Sequence, residues 1–268
     1  MERGERWKKI MKFDEPISFR EAVRQLAAKK IVPTNLTSAD LAQINREVMR
    51  VSFTSAQTTE AGLLDAYKRG VENIVGPSYE PGADFNPAKL REFIKDYLVK
   101  ISYQPEEGKA GTIQDLSSDG RINLVIKTNT ELAHGAGRFV QQNADDDVVD
   151  LWPGLELVRF EDRDKPRDWE ERFRIACQVA GDVDGARVLE ESGRMAALKS
   201  SGVWQALGDG AGGYLDTLGN PYPPFAFQSG MWTEEKDRAE AVELGLIGEG
   251  EEARGAEFDL GSLFAEAA

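Results

Sequence analysis

Apolar residues recur every three or four positions through most of the chain up to Asn143, a pattern that predicts successive amphipathic helices. Ser18 and Glu21, preceded by Ile17, have the spacing of a capping box that opens a helix to about Lys30, and Pro33 ends that element. Thr37 can cap the next helix, with Leu41, Ile44, Val48 and Val51 on its inner face. After a polar break at Ser55 to Thr59, a third helix carries Leu63, Leu64, Tyr67, Val71, Ile74 and Val75, and Gly76-Pro77 stops it. Residues 77–87 read as loop. Asn86 caps the following helix, Pro87 takes its first position, and Leu90, Phe93, Ile94, Tyr97, Leu98 and Ile101 form its stripe.

The stretch Arg121 to Gln142 organises the rest. Ile122, Val125, Asn129, Leu132, Ala133, Ala136, Phe139 and Val140 fall on one helical stripe, and Asp119 is placed to cap its start. Gly135 and Gly137 each cost about 1 kcal/mol against Ala inside a helix. Close approach of another backbone is the usual compensation, so a tightly packed central helix is expected. Asn129, polar within the stripe, is a candidate for fixing register. The plainer reading is an ordinary amphipathic helix.

Beyond Asn143 the pattern changes. Residues 144–147 read as a charged turn, and Leu155 to Phe160 alternate as a strand does. A charge run, Glu161 to Arg174, follows. Asp168 can cap a helix that turns Trp169, Phe173, Ala176 and Cys177 inward and closes near Gly181. From there to Gly230 the chain is rich in Gly, Pro and aromatics, so only short elements are expected. Asp237 and Glu240 form a second capping box, opening a helix to about Gly245. The expected class is α+β, with a mainly helical front half and a smaller mixed part holding a few short strands. The divisions are an N-terminal arm with one helix (1–36), a helical domain (37–143), a mixed part (144–247) and a flexible acidic tail (248–268).

Composition narrows the function classes. A net charge of −14 argues against a broad nucleic-acid interface, which gathers Lys and Arg, and leaves open only a local basic patch. Cys177 is the one cysteine and His134 the one histidine, so no Cys/His zinc site and no internal disulfide can form. The N-terminal segment lacks a signal-peptide core, and no window approaches the roughly 20 apolar residues of a membrane span. Synthesis in a cytoplasm-like compartment, without membrane or cofactor, is the expectation.

Several constellations invite chemistry and are weak when weighed. Gly208 to Gly213 matches G-x-G-x-x-G, but the residues after it make a poor helix, so a flexible loop is expected. Asp182-Val183-Asp184-Gly185 hints at a calcium loop, yet the twelfth position is Gly193, which supplies no ligand; a turn is the better reading. Cys177 lies on an apolar helical face and reads as a buried thiol rather than a partner for His134. Glu131 and His134 could share a helix face, too few groups for a metal. Opposite charges alternate through the charge run, as in an ion-paired face worth little per pair. Arg159, Arg163, Arg167 and Trp169 are, however, residue types enriched at binding hot spots. Asn220 to Phe227 (NPYPPFAF) cannot be a central strand, because proline removes backbone donors. Tyr222, Pro223, Pro224, Phe225 and Phe227 either pack onto their own domain or meet a partner.

In their order these features resemble the phage Mu F-like minor head proteins, related to the SPP1-type head morphogenesis family. Thr128-Asn129, Ala133 and Gly137-Arg138 match a T-N-x-x-x-A-x-x-x-G-R helix, LELVRFEDRDKPR a strand with a charged turn, and Tyr222-Pro223-Pro224-Phe225 a closing Y-P-P segment. The similarity spans roughly residues 35–247. Gln228-Ser229-Gly230-Met231 stand where many relatives carry an N-C-R-C-like ending, so no metal or thiol role of that ending transfers.

The resemblance implies a low-copy, non-enzymatic structural protein of a virus or prophage head. Its partners would be portal or major capsid subunits, and packaging or delivery of DNA would be a further role. Its location would be the virion head, and the host cytoplasm during assembly. Two rival readings are a small hydrolase using Glu131, His134 and a carboxylate of the charge run, and a host-directed adaptor acting through its acidic tail, with Phe258 to Phe264 folding onto a groove.

Overall fold

The computed structural model describes residues 19–76 and 86–258. The front half is a helical layer closed over one long helix. α1 (Arg20–Ala28) leads into a two-residue strand β1 (Lys30–Ile31). Two short helices, α2 (Ser38–Leu41) and α3 (Arg46–Arg50), precede β2 (Ser52–Phe53), which pairs in parallel with β1. Then come α4 (Ala61–Val75), α5 (Pro87–Lys100) and the long helix α6 (Asp119–Gln142). Leu26, Phe53, Leu63, Leu64, Val71, Leu90, Ile94, Ile122 and Ala133 are buried together between α1, α4, α5 and α6.

The local signals account for most of these boundaries. Thr37 and Asp40 make a reciprocal capping box, Asn86 accepts from the amides of Ala88 and Lys89, and Pro87 opens α5. The single helix expected after Thr37 is instead α2 and α3, because Asn45 accepts from Glu47 N at 2.7 Å and starts a new helix. That break turns Val48 outward, 52% exposed. Ser18 and the 77–85 part of the expected loop lie outside the described residues; α1 starts after Phe19 without a side-chain cap. Ser118, not Asp119, caps α6, while Asp119 pairs with Lys95 at 2.6 Å.

The back half is built on a three-stranded antiparallel sheet, order β4-β3-β5. Its elements are α7 (Asp146–Leu151), β3 (Gly154–Arg159), α8 (Trp169–Ala180), α9 (Val183–Ser192), β4 (Ala196–Leu198), α10 (Val203–Asp209), β5 (Met231–Lys236) and α11 (Arg238–Glu243). The alternation in β3 turns Leu155 and Leu157 into a core with Trp169, Phe173, Cys177, Trp204, Phe225 and Met231. The architecture is α+β, as expected, with more helix than the Gly-rich composition suggested. The supposed charged turn at 144–147 starts α7, since Asp145 accepts from Asp147 N and Val148 N. The supposed turn at Asp182 is the N-cap of α9, accepting from Gly185 N at 2.7 Å.

α6 belongs to both halves. Its first turns lie in the front core, and Ala136 and Phe139 pack against Tyr222. A β-carbon on Gly135 would stand 1.7 Å from the Pro223 carbonyl oxygen, and one on Gly137 2.8 Å from Ala22 N. The expected close backbone approach is therefore real on both sides of the helix. Among the described residues Asn129 makes no hydrogen bond to another element: its side-chain amide donates to Val125 O, one turn back on the same helix. The tail is docked as far as Phe258, contrary to the expected flexibility of 248–258. Ala256 N donates to Asn143 Oδ1 at 2.8 Å, and the Phe258 ring meets Phe139 edge-on at 5.6 Å. Residues 259–268 are outside the described part.

Candidate functional site

The charge run leaves the sheet at Arg159, opposite Met231, and folds back over the segment that follows the Tyr-Pro-Pro turn. Phe160 N and Glu161 N both donate to Gly230 O, at 2.8 and 3.1 Å. Gly230 sits at φ +65°, and a β-carbon there would press 2.7 Å from Glu161 O, so glycine is required at this crossing. Glu161 then accepts from Lys127 of α6 at 2.6 Å and pairs with Arg163 at 2.8 Å. The Lys127 hydrogen bond, aided by the two positive charges, holds the Glu161 carboxyl below its ordinary range.

Four residues further on, Arg167 grips the other side of the crossing. Its guanidinium donates to Phe227 O at 2.7 Å and Gln228 O at 3.2 Å, and its Nε meets Asp216 at 2.7 Å. Arg172 binds the same carboxylate in bidentate fashion, at 2.9 and 3.2 Å, with its plane 3.9 Å over the Tyr214 ring and 5.1 Å from Trp169. Opposite charges inside the run thus pair with distant residues as well as with one another. The run acts as a staple, and the backbone it fixes carries exposed apolar side chains. Phe227 is 45% exposed, Leu215 69% and Phe160 77%. Phe227 N donates to Asp216 O at 3.0 Å, which puts Leu215 and Phe227 on neighbouring backbone.

The residues expected at an interface divide into two groups. Arg159 is exposed, Arg163 and Arg167 are partly buried, and Phe227 is exposed; of these, Arg167 holds the Phe227 backbone. Trp169, Tyr222, Pro223, Pro224 and Phe225 are buried within the chain and are not available to a partner. Phe225 stacks on Trp204 at 6.1 Å and Tyr222 tilts against Phe139 at 5.3 Å, so the segment's aromatics complete the molecule's own cores. Composition alone missed Phe160, Leu215 and Arg172. Arg172 lies one helical turn from Trp169, which was visible, but its partner is 44 positions away.

Of the other candidate groups only Glu131 adjoins the charge run, through Lys127, which it shares with Glu161. His134 stacks on Phe19 at 5.8 Å, and burial lowers its pKa. Burial raises the Glu131 carboxyl, which pairs with Lys127 at 3.7 Å; no hydrogen bond joins it to His134 among the described residues. Burial also pushes the Cys177 thiol up to about 12, which removes its thiolate at neutral pH. The glycine run does not cradle a ligand: Gly208 lies inside α10, and a β-carbon on it would stand 1.9 Å from Asn220 O. Among the described residues no cluster of His, Cys, Asp and Glu is arranged to hold a metal, and no helix is long and apolar enough to cross a membrane.

Comparison with known proteins yields no match to any family model, curated protein or solved structure.

Proposed function

We propose that this chain is a minor structural component of a tailed-phage or prophage head that docks on portal or major capsid subunits during assembly. It acts by adhesion and makes no bonds of its own. The observation that carries the reading is a set of exposed apolar side chains beside an arginine staple. Phe160, Leu215 and Phe227 stand exposed around arginines whose positions are already set by Asp216 and Glu161. Apolar centres rimmed by Arg, with few free rotamers left to order, have the anatomy of a protein interface.

The resemblance to the Mu F-like family supplies the identity of the partner. Its two defining segments pack on each other: Gly135 and Phe139 of the T-N-A-G-R helix against Pro223 and Tyr222 of the Y-P-P turn. Arg138 of the same motif reaches over the Trp232 ring at 6.0 Å, tying the helix to β5. In this reading the protein is made in the host cytoplasm and ends in the virion head at low copy, near the portal vertex. The test is the protein content of purified parent particles by mass spectrometry. The expected result is this chain at a few copies per portal ring; its absence from particles, with no capture by portal, overturns the proposal.

A further inference from the structure

A cleft of about 630 Å³ opens between α3 and α10, with Arg46 and Arg50 on one wall, Gln205 and Asp209 on the other, and Phe258 at its edge. The two arginines lie one turn apart and reach across the molecule. Arg46 donates to Thr217 O at 3.0 Å, and Arg50 to Gly219 O at 3.2 Å. A guanidinium has five N–H donors, so both retain donors beyond these bonds. Arg50 Nε is buried with no hydrogen-bond partner among the described residues, and the Arg50 guanidinium lies 5.0 Å over the Phe258 ring. On the far wall Asp209 accepts from Gln205 at 2.7 Å and lies in the field of Arg50 and Arg46, and Glu47 also lines the cleft, so an incoming carboxylate shares the two arginines with these groups.

What occupies the edge of this cleft shows what it accepts. The strap from Gly248 onward is held where Arg238 donates to Glu251 O at 2.9 and 3.0 Å, and where Ala256 N meets Asn143 Oδ1. It delivers Phe258 between the edge of Phe139 and the face of Arg50, and in sequence that phenylalanine is flanked by Glu257 and Asp259. The ring is only partly buried. Beyond it the cleft continues to Arg46, Gln205 and Asp209, surface that Phe258 borders and does not fill.

We infer that this seat is a docking site for an extended, acid-flanked phenylalanine segment of a protein partner, held in cis by the chain's own Phe258 strap. The ring would take the place of Phe258 against Phe139, a backbone N–H would meet Asn143, and the flanking carboxylates would lie beside Arg46 and Arg50. A tethered occupant competes at an effective concentration on the order of millimolar. A free partner therefore displaces it only by making contacts the strap lacks, and the unfilled cleft supplies them. The inference concerns a surface other than the Phe160, Leu215 and Phe227 face and does not depend on the partner being a head subunit.

The test uses a fluorescein-labelled synthetic peptide of residues 248–258 titrated onto the full-length chain. Phe258→Ala, which frees the seat, is expected to bind it about tenfold more tightly than wild type, and adding Arg50→Ala is expected to lose about tenfold again. Equal affinity for wild type and Phe258→Ala, no binding to Phe258→Ala, or indifference to Arg50→Ala overturns the proposal. A second readout needs no variant: excess unlabelled peptide should speed hydrogen exchange at Ala256 N–H in the wild-type chain. An unchanged rate contradicts exchange at the seat.

Discussion

The carbonyl oxygen of Pro223 lies 1.7 Å from the point a β-carbon on Gly135 would occupy, so the middle of α6 and the Y-P-P turn touch backbone to backbone. No side chain fits between them, and the obstacle is main chain, which cannot rotate away. Gly135→Ala should therefore lower stability by roughly 2–3 kcal/mol, the cost of overpacking a filled core. Gly120 lies exposed in the first turn of the same helix with nothing within 4 Å of the equivalent position. Gly120→Ala should leave stability unchanged or raise it by about 0.5 kcal/mol. Urea unfolding of the two variants checks the contrast, and similar losses in both would refute the contact.

Asp216 is the shared acceptor of Arg167 and Arg172, and Arg172 is only 8% exposed. Asp216→Ala leaves a nearly buried guanidinium without its carboxylate and should cost about 2–3 kcal/mol, a figure reduced from the fully buried case because the carboxylate itself is partly solvated. Replacing Arg172 by Met in that background should recover part of the loss, since an apolar side chain needs no partner. A double-mutant cycle on urea midpoints measures the coupling.

Lys29 is 7% exposed, and burial, with Arg50 and Lys68 nearby, lowers its pKa from 10.5 to about 8. Between pH 8 and 10.5 the unfolded chain holds more protons at this site than the folded one, so this residue makes stability rise with pH across that window. Below pH 8 the full penalty of a buried ammonium is present. Lys29→Met should raise stability at pH 7 by about 1–3 kcal/mol and remove the rise between pH 8 and 10. Melting curves at several pH values decide it; an unchanged profile shows that the amine reaches water.

Much of this was legible in the sequence where the signal is local. The caps at Thr37, Asn86 and Asp168, the period of α6 and the alternation of β3 each depend on residues within one turn or one strand. α9 was hidden because Gly185 follows its capping residue Asp182 so closely that the pair reads as a turn. The proposed docking face was only half visible. Trp and Tyr are enriched at interfaces and are also largely buried in protein interiors, so residue type alone could not place Trp169 and Tyr222 inside the chain. Leu215 and Phe160, isolated apolar residues in loops, look like anchors until the fold leaves them uncovered. The Arg172–Asp216 pair spans 44 positions, beyond the reach of any local pattern.

The most direct test of the account is capture of this chain by the portal protein of the phage or prophage proposed to encode it. The wild type is compared with a Leu215→Ser, Phe227→Ser double variant. Leu215 is largely exposed and Phe227 nearly half exposed, so the double variant should stay folded and lose only about 1–2 kcal/mol. The account predicts that wild type co-sediments with portal assemblies and that the double variant does not. Failure of wild type to co-sediment, or equal capture of a normally folded double variant, would contradict the claim that this face does the docking.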